Sequence, residues 1–450
     1  MSLSADTIAA LATPVGTSAI AVVRASGPQA AQFALAIFGE APLPRQVRHA
    51  DYRDVSGQLL DDILFTFFAA PHSYTGEDTL EISSHGNPFI AQKILKDLYT
   101  RGCRPAEAGE FTKRAFLNGH MDLSQAEAVM DLIHARSERA LMAANQQLRG
   151  SLGRHVQQLI DRLLKVIAHI EAYIDFPEED LPPQSRAALL EDIELLSSGT
   201  GRLLATSHYG ELLRDGIKTV ILGETNAGKS SVLNRLVGRE RALVSPEPGT
   251  TRDYLEELIA AGPHCLRLID TAGLNPNPTP LERRGLAKTF EQADKADLFL
   301  WVIDSTRPFS PLPQELATRM TAANTIAVFN KIDLAQIGQM KLPQPFVSVH
   351  ASALTGAGFD ALEAAILSTA EAFRVETGDE ILAINARHAH ALDQANHALS
   401  ETQLKLMKSC DIELIASDLR YALDALGEIA GKIDNDRVLD IIFSTFCIGK

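Results

Sequence analysis

Gly223-Glu-Thr-Asn-Ala-Gly228-Lys229-Ser230 follows the apolar run Thr219 to Leu222 and opens the helical run Ser231 to Leu236. Strand, glycine-rich loop and helix in that order form a phosphate cradle. The glycines let successive main-chain N–H groups turn inward, Lys229 offsets β/γ charge, Ser230 offers a hydroxyl to Mg²⁺, and the helix N-terminus adds its dipole. The same unit opens a doubly wound sheet. Working outward, Cys265–Ile269, Leu298–Ile303, Thr325–Phe329 and Phe346–Val349 are further buried-strand candidates between helical stretches, so residues 216–378 are expected to form a mostly parallel α/β domain.

Three later segments narrow the ligand. Asp270-Thr271-Ala272-Gly273 ends an apolar strand, which sets a carboxylate near Mg²⁺ and the Gly273 N–H near a γ-phosphate. Asn330-Lys331-Ile332-Asp333 ends another. Asp333 can accept the ring N–H and the exocyclic amine of guanine, whereas adenine offers neither and leaves the carboxylate unpaired. Ser352-Ala353-Leu354 would complete the base pocket with main-chain N–H groups. Between the phosphate motifs lies Ser245-Pro246-Glu247-Pro248-Gly249-Thr250-Thr251-Arg252-Asp253. Thr251 is expected to be the second Mg²⁺ ligand, ordered by the γ-phosphate. Together with Gly223, Asn226, Ala227, Gly228, Lys229, Ser230 and Ser231, these residues form the expected GTP site. Leu274, after Gly273, has no hydrogen-bonding capacity, so the attacking water needs another partner; Glu282, opening a helix, is the nearest candidate.

The remainder of the chain reads differently. From Asp6 to about Asn118, short β-rich runs such as Ala19–Arg24 and Thr79–Ser83 alternate with Gly and Pro turns. Leu152, Val156, Leu159, Leu163, Val166, Ile170 and Tyr173 step by four and three, as do Ile415, Leu419, Ala422, Leu426 and Ile429. Another helical stretch covers Leu189 to Leu213. Each stripe needs a partner, so one helical bundle in two sequence pieces is expected, with the α/β unit inserted between them. The expected domains are 1–118, 119–215, 216–378 and 379–450.

Composition limits the functional classes. The 450 residues carry 42 Lys and Arg against 57 Asp and Glu, a formal charge of −15, which disfavours non-specific binding of nucleic acid. With 46% hydrophobic and 22% charged residues the chain is expected to be globular rather than disordered. Its four cysteines form no CxxC pair, which fits a reducing cytoplasm and gives no sign of zinc. Pro14 and Gly16 break the N-terminal apolar stretch, and no membrane segment is expected. His388 and His390, two apart, make a weak metal pair.

The ordered set of nucleotide motifs is joined by Ser73-Tyr74-Thr75-Gly76-Glu77-Asp78, Gly109-Glu110-Phe111-Thr112-Lys113-Arg114-Ala115-Phe116-Leu117-Asn118-Gly119, Asp175-Phe176-Pro177-Glu178-Glu179-Asp180 and a terminal Phe446-Cys447-Ile448-Gly449-Lys450. In this combination the whole chain resembles the MnmE (TrmE) family of tRNA-modification GTPases. The resemblance implies a folate-binding-like α/β N-terminal domain, a discontinuous helical bundle and an inserted Ras-like doubly wound P-loop GTPase domain. It implies a K⁺-activated GTP hydrolase, with Asn226, Ser245, Glu247 and Thr250 around the K⁺, Ser230 and Thr251 on Mg²⁺, and Glu282 orienting water. A constitutive homodimer is implied too, with a 5-formyl- or 5,10-methylene-tetrahydrofolate held by Arg24, Glu81, His120 and Lys450, and Cys447 near it. The implied partner is an MnmG-like FAD-dependent protein in a heterotetramer that makes most of the tRNA contact. The implied product carries an aminomethyl or carboxymethylaminomethyl group at C5 of the wobble uridine.

This sequence departs from the family pattern in two places. His120 stands where Lys is usual, which makes that charge pH-dependent, and Asn87 replaces a glycine after His85-Gly86. From residue type alone, Arg24 and Glu81 are expected on a solvent-facing side of their strands. Ile448-Gly449-Lys450 is a poor prenylation box. The alternative reading is a GTP-switched RNA-binding or ribosome assembly factor; the −15 balance and the lack of a Lys/Arg-rich tail weigh against it. A free-standing one-carbon enzyme would need no GTP.

Overall fold

The computed structural model describes residues 6–39, 41–175, 183–239, 256–271, 289–308, 311–334, 342, 345–374, 380–408, 411–431, 442–444 and 446–449. Ser245, Pro246, Glu247, Pro248, Gly249, Thr250, Thr251, Ala272, Gly273, Leu274, Glu282 and Lys450 lie outside the described residues, as do 176–180 of the helical signature. The chain divides into two compact units: Met1–Met130 with Leu152–Ile160 and Asp424–Lys450, and Asp131–Ser151 with Asp161–Leu423.

The first unit is built on a sheet of six strands, β1 (Ile8–Leu11), β2 (Ile20–Ser26), β3 (Val47–Arg53), β4 (Leu59–Phe68), β5 (Thr79–His85) and β6 (Arg104–Pro105), in the order β3-β4-β5-β2-β1-β6. All neighbours are antiparallel except β1 and β6. Helices α1 (Ala30–Phe38) and α2 (Pro88–Thr100) cover the apolar face, where Val23, Phe65, Leu80, Ile82, Ile94 and Leu98 interdigitate. The two-residue alternation of β4 and β5 reflects a sheet with one covered face. Asn87 does not occupy a left-handed turn. At φ −94° it caps α2, its side chain accepting from Phe89 N, so an Asn here serves the helix start better than a glycine would. The close approach falls on Gly86, where a Cβ would meet Ser18 O at 2.2 Å.

Helices α3 (Glu110–Leu117), α4 (Leu123–His134), α5 (Glu138–Leu148) and α6 (Ser151–Asp175) follow. In α6 the buried stripe is Leu152, Val156, Ile160, Leu163, Ile167 and Ile170, with Val166 beside it; Ile160 takes the inward place expected of Leu159. The helical stretch expected over Leu189–Leu213 is two helices, α7 (Pro183–Ala205) and α8 (Ser207–Asp215). They break at Thr206, whose hydroxyl donates to Leu203 O at 2.7 Å and so competes with the helical ladder.

The second unit contains the other six-stranded sheet: β7 (Ile217–Gly223), β8 (Glu256–Ala261), β9 (His264–Asp270), β10 (Leu298–Asp304), β11 (Thr325–Asn330) and β12 (Val347–His350), ordered β12-β11-β10-β7-β9-β8. Every pair is parallel except the β8–β9 hairpin at one edge. The five strands expected from apolar runs are all present. β10 and β11 are buried along their whole length, as a sheet covered on both faces requires. Helices α9 (Lys229–Arg239), α10 (Gln314–Ala317) and α11 (Phe359–Ala372) belong to this layer system.

After the sheet come α12 (Ala386–Met407) and α13 (Ile412–Ala430). The stripe Ile415, Leu419, Ala422, Leu426 and Ile429 is buried. Asn396 of α12 accepts from Ser197 and Thr200 of α7 at 2.9 and 3.2 Å, and Arg420 of α13 pairs with Glu171 of α6 at 2.7 Å. Helices on both sequence sides of the sheet therefore pack together, which makes the bundle discontinuous and the α/β unit an insertion. His388 is a buried capping-box residue bonded to Asn385, and His390 meets Gln394, so neither serves a metal pair with the other.

Candidate functional site

The crevice at the carboxyl ends of β7, β9, β10 and β11 gathers the nucleotide motifs. β7 ends in Gly223 (φ +153°), where a Cβ would strike Val302 O at 2.3 Å; at Gly228 (φ +96°) it would strike Asn330 Nδ2 at 2.2 Å. These two close approaches explain why glycine is required at both ends of the loop. Asn226 between them is left-handed at φ +65°. Lys229, 7% exposed, folds over the loop and donates to Gly223 O at 3.1 Å and Glu224 O at 3.0 Å. Burial holds its amine below the ordinary lysine value, with the Asp270 charge opposing. An arriving triphosphate would replace two carbonyls with a full negative charge and favour the ammonium form.

Ser230 Oγ donates to Asp270 Oδ2 at 2.7 Å, and Thr271 Oγ1 donates to Ile221 O at 2.6 Å. Asp270 Oδ1 is buried without a hydrogen-bond partner among the described residues. A hydroxyl oxygen beside a carboxylate with a spare oxygen suits a hard divalent cation, so Ser230 and Asp270 fit Mg²⁺.

The base end is held by four side chains. Asn330 Nδ2 donates to Ala227 O at 2.9 Å, and its Oδ1 accepts from Ala353 N at 3.0 Å, which ties phosphate loop and base loop together. Asp333 Oδ1 accepts from the buried Ser352 Oγ at 2.5 Å, leaving its other oxygen for a base edge. Lys331, left-handed at φ +67°, donates to Asn226 O and Asp304 Oδ2, both at 2.7 Å. Burial raises the Asp304 pKa, but hydrogen bonds from Lys331 and Thr306 outweigh it and hold the group below its usual value. Sequence reasoning missed Asp304; the available signal was a carboxylate ending an apolar strand, as at Asp270.

The second constellation lies in the first unit. Arg24 on β2 and Glu81 on β5 are directly opposite in register and form an ion pair at 2.8 Å, with side chains 14% and 28% exposed. They are thus half-buried partners, contrary to the expected solvent-facing pair. The cause is the aromatic wall: the Arg24 guanidinium lies 5.4 Å from the Tyr74 ring centre and 5.6 Å from that of Phe111. Tyr74 and Phe111 come from the two quoted signatures, whose other members hold them. Arg114 binds Glu77, Glu110 and Asp6, Arg104 binds Glu110 and Asp6, and Tyr74 OH meets Thr112 Oγ1 at 2.8 Å. Burial alone would raise the Glu110 pKa, but Arg104 and Arg114 hold it below the ordinary carboxylate value.

The C-terminal tail joins this group. Ile448 bridges Ala108, Arg24 Nη1 donates to Gly449 O at 3.5 Å, and a Cβ on Gly449 (φ +101°) would meet Leu11 O at 2.2 Å. Cys447 is exposed, whereas burial pushes the Cys103 and Cys265 thiols up to about 12 and about 11. His120 is exposed, its ring against Gly76. The Arg24–Glu81 pair thus presents a charged hydrogen-bonding edge backed by Tyr74 and Phe111, beside a tail with room only for glycine at 449.

A family model for the MnmE helical domain matches residues 123–447, and one for the GTP-binding protein TrmE N-terminus matches residues 7–120. The chain is similar to the tRNA modification GTPase MnmE of Opitutus terrae, with 59% identity over 448 residues and 99% of each chain covered. The chain belongs to the MnmE family. Its MnmE relatives from Akkermansia muciniphila and Symbiobacterium thermophilum are 44% and 42% identical, again over 99% of each chain. As a member of the MnmE family of GTPases the protein is a GTP hydrolase. Among the described residues no helix is long and apolar enough to cross a membrane.

Proposed function

We propose that this GTP hydrolase drives modification of C5 of the wobble uridine of certain tRNAs. An aminomethyl or carboxymethylaminomethyl group is added together with an MnmG-like FAD-dependent partner. The observation that carries the reading is the full-length likeness to tRNA modification GTPases, combined with two built sites in one chain: the guanine-nucleotide crevice and the Arg24–Glu81 cluster.

In this reading Arg24 and Glu81 hold a 5-formyl- or 5,10-methylene-tetrahydrofolate, with His120, Lys450 and Cys447 at its margin. The folate supplies the one-carbon unit when bound. Arg24 keeps its charge between Tyr74 and Phe111, and Glu81 offers a carboxylate to the heterocycle's donors.

At the other site Lys229 and the loop N–H groups grip the phosphates, and Asp333 selects guanine. Ser230, Thr251 and Asp270 serve Mg²⁺, and Glu282 orients the attacking water. A K⁺ ion held by Asn226, Ser245, Glu247 and Thr250 would supply the positive charge that an arginine finger gives elsewhere, an effect worth about 10³–10⁵ in rate. The protein acts as a homodimer. The −15 charge leaves most tRNA contact to the partner.

The test is nucleoside analysis of tRNA from cells lacking the protein. Unmodified wobble uridine is expected, and unchanged modification would leave only the GTPase. GTP hydrolysis is expected to be much faster in K⁺ than in Na⁺ at equal ionic strength; equal rates would remove the cation role.

A further inference from the structure

Arg235 lies on α9, the helix opened by the phosphate loop, and its guanidinium is spent on the base loop. Nη2 donates to Thr355 O at 3.1 Å and Nη1 to Leu354 O at 3.4 Å, with the Phe359 ring centre 6.0 Å away. An ideal Cβ on Gly356 (φ +87°) would fall 1.9 Å from Nη2, so only glycine leaves the guanidinium its place. Within the segment Gly356 N donates to Ser352 O at 2.8 Å, while the Leu354 side chain is 79% exposed and packs little.

The N–H groups of this segment are mostly committed. Ser352 N donates to Ala357 O, Ala353 N to Asn330 Oδ1, and Thr355 N to Ser352 Oγ. Leu354 N–H has no protein acceptor among the described residues. It is the donor left for a ligand, and the carbonyl of the same residue is the one Arg235 holds.

We propose that Arg235 is a positioning residue for guanine recognition: by pinning the Leu354 and Thr355 carbonyls it keeps the Leu354 N–H set for O6 of the base. This rests on the base-pocket reading of Asp333 and Ser352. Two successive carbonyls suit the planar fork of arginine, and a lysine would reach one at a time.

The test is steady-state hydrolysis of GTP, 6-thio-GTP and ITP by the full chain. 6-Thio-GTP keeps the ring N–H and amine read by Asp333 but replaces O6 with a poor acceptor; ITP keeps O6 and lacks the amine. In Arg235→Met, KM for GTP is expected to rise about 5–10-fold, the cost of one neutral N–H to O6 hydrogen bond lost as the loop loosens. The rate at saturation stays level, and the preference for GTP over 6-thio-GTP shrinks while that over ITP holds. Arg235→Lys recovers part of the KM. Gly356→Ala, which displaces the same guanidinium and also strains the left-handed backbone at φ +87°, raises KM at least as much and shrinks the same preference over 6-thio-GTP; it also reads the contact if Arg235→Met fails to fold. An unchanged KM, or equal loss of both preferences, would overturn the proposal. Wild-type protein taking GTP and ITP equally would overturn the base-pocket reading beneath it, and this role with it.

Discussion

The nucleotide crevice and the Arg24 cluster are built by opposite means. In the crevice, each functional group sits at the carboxyl end of a parallel strand or in the loop that follows it, so main chain does the aiming and side chains are short-range additions: Lys229 folds back six residues and Asn330 bridges two neighbouring loops. In the Arg24 cluster, the main chain is an ordinary antiparallel ladder. The site arises because residues 24, 74, 81, 111 and 449 are brought together by a partly buried network of Asp6, Glu77, Arg104, Glu110 and Arg114. The first kind of site should fail by losing a ligand contact. The second should fail when its supporting ions are disturbed.

The sharpest break of the first kind is Asp333→Asn. Exchanging acceptor for donor should lower kcat/KM for GTP by roughly 10⁴ and transfer preference to XTP, whose edge is complementary; retained GTP preference would show that the base is read elsewhere. Next, Lys229→Ala should slow single-turnover GTP hydrolysis by about 10²–10³, the cost of removing one aimed donor.

On the other side, Arg24→Ala should weaken 5-formyl-tetrahydrofolate binding about 10–100-fold by calorimetry. GTP hydrolysis should be unaffected, and a fall in both would couple the two sites. The smallest effect falls on stability. Glu110→Gln should lower unfolding free energy by about 1–3 kcal/mol through the weakened charged hydrogen bonds from Arg104 and Arg114, read by hydrogen exchange over residues 104–117. The folded-state pKa of Glu110 lies below its ordinary value, so its contribution is present above the usual carboxylate range and lost as pH falls through the folded pKa. Glu110→Gln should flatten that acid limb, and an unchanged limb would place the pH sensitivity on other groups.

This contrast also sets what the sequence could reveal. Spacing along one chain segment records a main-chain site, so Gly223 to Ser230, Asp270, Asn330 and Asp333 were legible, together with the strands that carry them. The apolar stripes of α6 and α13 were legible for the same reason, apart from the exchange of Leu159 for Ile160. A site assembled across distant segments leaves no spacing. Arg24 and Glu81 therefore read as solvent-facing charges until Tyr74 and Phe111 were found beside them. Arg235 and Gly356 were hidden likewise, since a contact between residues 235 and 354–356 follows no local rule.

In the proposed reading Asp333, in the loop after β11, restricts the phosphate-loop site to guanine. The direct measurement is kcat/KM for GTP and ATP on the wild-type protein with Mg²⁺, in one buffer. GTP is expected to be favoured by about 10⁴ or more, whereas equal turnover of the two, or a preference for ATP, would exclude Asp333 as the group that selects the base.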